Sequence, residues 1–149
     1  MLAAGLFAGG ASVAAESSAI AIVVHRSAPA DELSMQQLRS IFLADQQFWD
    51  DRTRITLLVR APKSDERDFV LNRIYQMSES QFRQYWIAKM FRAEIPRGPK
   101  IVFSTDMTLD LVVAIPGSIS FMRASEVNDS VKVVRIDGKL PNEDGYPLK

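Results

Sequence analysis

Leu57-Leu58-Val59-Arg60-Ala61-Pro62-Lys63-Ser64-Asp65-Glu66-Arg67-Asp68-Phe69 joins the pattern of a strand to that of a helix across one short turn. It starts as an apolar strand, turns at a proline, and restarts at a serine with the pattern of a helix. Ser64 suits the N-cap, and Asp65, Glu66 and Asp68 lie in or near the first turn, where negative charge favours the helix dipole. A strand that delivers a loop to a helix start leaves backbone N–H groups pointing outward, a setting that accepts an anion. Arg60 and Lys63 offer countercharge and Ser64 a hydroxyl. Asp65 and Glu66 stand against this, as carboxylates where an anion requires neutral donors. An ion pair of Arg60 with Asp65, Glu66 or Asp68, closing the loop on itself, is the structural alternative.

Similar strands and helices alternate on either side. Ala19–Val24 is a β-branched run of the kind buried on both faces of a sheet. Ser34-Met-Gln-Gln37 matches a capping box, followed by Met35, Leu38, Ile41 and Phe42 at helical spacing. Residues 45–54 read as a polar loop whose Trp49 folds back on the body. Ile55–Val59 is the next strand, and Phe69, Val70, Ile74 and Met77 line the helix that follows. Ser78-Glu-Ser-Gln81 is a second capping box, opening a helix with Phe82, Tyr85, Trp86 and Met90, an aromatic stripe read as core packing. Lys100–Phe103 predicts a strand, Ser104 or Thr105 a helix start, and Ile119–Met122 and Val131–Ile136 two more strands. The fold class is therefore α/β, a mainly parallel or mixed sheet with helices on both faces.

Composition narrows the function. The 149 residues carry 18 basic and 18 acidic side chains, so no bulk charge argues for nucleic acid. Arginine outnumbers lysine two to one, which leans toward oxyanion or carboxylate contacts. With no cysteine and one histidine, His25, a thiol nucleophile, a cysteine-ligated metal and a histidine-based triad are out of reach. Adjacent acids such as Asp50-Asp51 do not converge on one bond, so no enzyme, no metal and no cofactor is expected. Residues 1–15 are apolar and rich in small residues, ending in Val13-Ala14-Ala15. They read as the h-region and cleavage site of a secretory signal with a truncated n-region, which places the mature protein in the periplasm. Residues 16–149 then form a single domain with a loose C-terminal tail from about residue 137, where Gly138, Pro141, Gly145 and Pro147 accumulate.

Three segments carry a resemblance. Leu33-Ser34-x-x-Gln37-Leu38-x-x-Ile41-Phe42-Leu43 with Trp49, then Arg60-Ala61-Pro62-Lys63-Ser64, then Pro116-Gly117-Ser118-Ile119-Ser120-Phe121 are similar in order and spacing to segments of phosphate-binding proteins of ABC transporters. Together they cover residues 33 to 123. The resemblance implies one lobe of a type II periplasmic-binding-protein-like fold, the lobe carrying the arginine and serine of the phosphate site at Arg60 and Ser64. It departs from the family at Asp65 and Glu66, which stand where glycine and threonine are expected. Inorganic phosphate or another oxyanion is the implied ligand. The alternative is a ligand-free interaction module docking on a membrane transporter, a sensor or an outer-membrane protein. A lobe without its counterpart exposes its cleft face, which also predicts a homodimer.

Overall fold

The computed structural model describes residues 19–149, and the signal-peptide reading of residues 1–15 lies outside them. Five strands form the main sheet in the order β4-β3-β5-β1-β6, with β1 Ile20–Val24, β3 Thr56–Arg60, β4 Lys100–Val102, β5 Ser118–Arg123 and β6 Lys132–Val133. β3 runs parallel to both β4 and β5, whereas β1 is antiparallel to β5 and to β6. The sheet is thus mixed. Every residue of β1 is buried, because strands flank it on both edges and side chains cover both faces. Its continuous apolar run reports that double burial and is indifferent to strand direction.

Helices cover the two faces unequally. Ile20, Ile22 and Val24 of β1 point to the face packed by α1 (Met35–Phe42), α2 (Asp65–Val70), a π-helical turn (Leu71–Tyr75) and α3 (Glu79–Phe91). Ala21 and Val23 point to the other face, where α4 (Thr105–Ala114) contributes Val112. Both capping boxes form as read: Ser34 Oγ accepts from Gln37 N at 3.0 Å and Ser78 Oγ from Gln81 N at 3.1 Å. In return the Ser34 and Ser78 amides each donate to a glutamine Oε1 at 2.9 Å. Phe82 and Trp86 are buried in the larger core cluster, as the stripe predicts, while Met90 turns outward. Trp49 does fold back, its Nε1–H donating to the Gly117 carbonyl at 3.0 Å. Gly117 itself sits at φ +89°, and a Cβ there would lie 2.4 Å from the Arg54 carbonyl oxygen.

Two expectations are corrected. The run Val131–Ile136 is not one strand: Lys132–Val133 joins β1, and Arg135–Ile136 (β7) pairs in parallel with Glu32–Leu33 (β2) in a separate two-stranded sheet. Val134, fully buried between them, donates its amide to Ile22 O and pins the crossing point. The tail after residue 137 is not loose. Leu148 is fully buried, its carbonyl accepts from Ile20 N at 2.8 Å, and Tyr146 donates its hydroxyl to the Ile20 carbonyl at 2.5 Å. Arg73 on the π-helical turn donates to the carbonyls of Pro147 and Lys149. The glycines and prolines there mark tight turns between docked residues, and a few anchors suffice to hold them.

Leu148→Ala is therefore expected to destabilise by about 2–4 kcal/mol, as a fully buried leucine does when truncated. A surface-tail residue would cost under about 0.5 kcal/mol. Urea unfolding midpoints of the two chains, read with equal m-values, check this. Gly117→Ala is expected to cost more than about 1 kcal/mol in the same assay, since its φ excludes an alanine without strain and the Arg54 carbonyl blocks the Cβ.

Candidate functional site

The C-terminal ends of the parallel strands converge with two helix starts. β3 ends at Arg60, β5 ends at Arg123, and the chain beyond β4 reaches Thr105 at the start of α4. In α/β sheets this is the edge where loops can build a site, because strand order leaves a crevice there.

Glu66 occupies its centre. It lies in the first turn of α2, and its side chain is only 7% exposed. One carboxylate oxygen accepts from Arg60 Nη1 at 2.9 Å, and the other accepts from Arg123 Nε at 3.2 Å. Arg60 also reaches Thr105 Oγ1, at 3.5 Å. Asp65 takes the opposite course, with its side chain 89% exposed and within 3.3 Å of Arg123 Nη2. Two adjacent acids on a helix point about 100° apart, so one can enter the strand ends while the other meets water.

The remaining residues of the turn have structural partners. Ser64 is the N-cap of α2, its Oγ accepting from Arg67 N at 3.1 Å. Lys63 is exposed and holds φ at +76°, a left-handed turn position between the strand and the cap. Arg67 is buried and turns away from Glu66: Nη1 donates to the Arg60 carbonyl at 2.8 Å, while Nε and Nη2 clasp both oxygens of Glu79 at 2.7 and 2.8 Å. Its guanidinium also stacks 4.8 Å from the Phe82 ring centroid. Of the five residues singled out from sequence, the fold brings Arg60 and Glu66 into contact, ties Asp65 to them through Arg123, and leaves Ser64 and Lys63 as cap and turn. Of the alternatives for Arg60, the pair with Glu66 is the one formed.

Arg123 and Thr105 were not singled out. Arg123 could have been found as the charged residue closing the apolar run Ile119–Met122 at the end of a buried strand. Thr105 carried no signal beyond its place at a helix start.

No protein-family model matches the sequence, and no curated protein matches it either. Solved structures do. An ABC-type phosphate transport receptor from Vibrio cholerae superposes with a TM-score of 0.66 at 19% identity, over 83% of this chain and 48% of that one. PstS from Borrelia burgdorferi gives 0.68 at 14% identity, over 87% of this chain and 53% of that one. The fold is periplasmic-binding-protein-like. A high affinity periplasmic phosphate-binding protein bound with phosphate also shares it, at a TM-score of 0.60 and 19% identity, over 80% of this chain and 37% of that one. The chain spans about half the length of the first two.

The Arg67–Glu79 clasp gives the fold an acid-sensitive tie. The Arg67 hydrogen bonds hold the Glu79 carboxyl below its ordinary range, with burial opposing them. A depressed carboxyl stabilises the fold fully above its unfolded value near 4.5, and that contribution is lost as pH falls through the lower folded value. Glu79→Gln is thus expected to lower the melting temperature at neutral pH, and the gap from the parent is expected to close on acidification below about pH 4. Thermal melts across a pH series read both.

Proposed function

We propose that this chain is a periplasmic, solute-binding-protein-like module whose anion position is held by its own Glu66, and that it acts by docking on a membrane transporter or sensor rather than by retaining free phosphate. The observation that carries this reading is the buried Glu66 carboxylate with each oxygen taken by a different arginine. A tethered carboxylate is present at high effective concentration, so a free oxyanion must displace it before meeting either guanidinium. Removing Glu66 from its partners would also leave it buried or force it past the strand ends, and either costs free energy. The phosphate-binding proteins of like fold support the module class and the compartment.

A second reading is favoured by one observation. Arg60 and Thr105 lie within 3.5 Å, so a positive group and a hydroxyl already face one point beside Glu66. With Glu66 swung outward, these two and Arg123 would hold phosphate or a related oxyanion.

Thermal melts separate the two. The parent chain is expected to show no shift in millimolar phosphate or sulfate. Glu66→Gln, which keeps the shape and removes the internal anion, is expected to lose about 1–3 kcal/mol of stability. It should regain several degrees of melting temperature when phosphate is added. Asp65→Gly with Glu66→Thr should likewise acquire phosphate affinity, measurable by calorimetric titration. A shift of several degrees in the parent chain with phosphate alone would overturn the first reading and establish the second.

A further inference from the structure

The opposite end of the sheet carries a second candidate site. A half-open groove of about 700 Å³ lies where β3 and β4 begin, far along the strands from Arg60 at the other end of β3. Its apolar surface comes from Ile55, Leu57, Ile95 and Ile115, with Trp86 of α3 in the wall. Arg54, Arg97 and Lys100 also line it, and no carboxylate does. None of these three cations has an acidic side chain within 4.0 Å among the described residues. In a chain with equal numbers of acidic and basic residues, three cations around one apolar groove without an acid is a local imbalance of sign.

Trp86 supplies apolar wall. It is 5% exposed and its Nε1 is enclosed, so the ring is what it lends to the groove. A groove with an apolar floor and a cationic rim without an acid suits an organic acid with an apolar body. The volume falls in the range of pockets that enclose small molecules.

We propose that this groove binds a small amphipathic monocarboxylate, its apolar body against Ile55, Leu57 and Trp86 and its carboxylate toward Arg97 and Lys100. Binding here uses none of the residues at the Arg60–Glu66–Arg123 end. The site therefore stands or falls independently of whether phosphate binds there.

The test uses the full chain, 4-phenylbutyrate as the probe, and amide and indole N–H resonances as the readout. The acid is expected to move the Trp86 indole resonance and the amides of Gly98 and Lys100 in a saturable way, leaving the amides of Thr105 and Glu66 unmoved. The alcohol 4-phenylbutanol should bind more weakly. Arg97→Gln with Lys100→Gln, both exposed in the parent, should weaken the acid roughly fivefold and the alcohol not at all. Three results would each overturn the proposal: no saturable shift at millimolar probe, equal binding of acid and alcohol, or shifts confined to the Arg60 end. An acid affinity unchanged in the double variant would do so as well.

Discussion

A carboxylate taken out of water requires cationic or N–H partners, and Glu66 meets that requirement with two arginines from two strands. Arg60 closes β3 and Arg123 closes β5, neighbouring parallel strands, so one side chain at the start of α2 ties both strand ends together. The next residue faces the other way. Arg67 reaches back to the Arg60 carbonyl and across to Glu79 at the start of α3, so α2 is bound to strand and helix at once. The Glu66 contact orders this edge of the sheet and engages both guanidiniums.

The two ends of the sheet differ in how charge is settled. At the C-terminal ends of the parallel strands, cations are matched by Glu66 and Asp65, although the exposed Arg123–Asp65 contact contributes little in water. At the opposite end Arg54, Arg97 and Lys100 surround an apolar groove without an acid. Between these ends the sheet is held by β1, an antiparallel strand that joins β5 to β6 and takes the C-terminal segment through the Ile20–Leu148 and Tyr146–Ile20 hydrogen bonds. First strand and last residues thus meet in one core.

Much of the secondary structure was legible because its signals are local. Ser34, Ser64, Ser78 and Ser104 each cap the helix that follows, and each cap depends on a few adjacent residues. The strands at Ile20–Val24, Thr56–Arg60 and Ser118–Arg123 follow from apolar runs bounded by polar or turn residues. The π-helical turn at Leu71–Tyr75 was not legible, since its register answers to partners elsewhere: Tyr75 donates to Phe42 O, and Ile74 O accepts from Arg39. The tail was misjudged for a related reason. Glycine and proline content reports turns, whereas docking depends on what Tyr146 and Leu148 meet far away in sequence.

Local sequence specifies the helix starts, the apolar strands, the α/β class and the presence of an arginine, a serine and two acids on one strand-turn-helix. These depend on backbone capping, side-chain period and burial, which a short window of residues carries. Tertiary structure decided the direction of β1, the seat of the C-terminal segment and the fate of each acid. Glu66 became the internal partner of Arg60 because Arg123, 57 residues later, closes a neighbouring strand beside it. Asp65, one residue earlier on the helix, points to solvent. Charge type is written in the chain, but which charges are desolvated together is set only when distant strands are brought side by side.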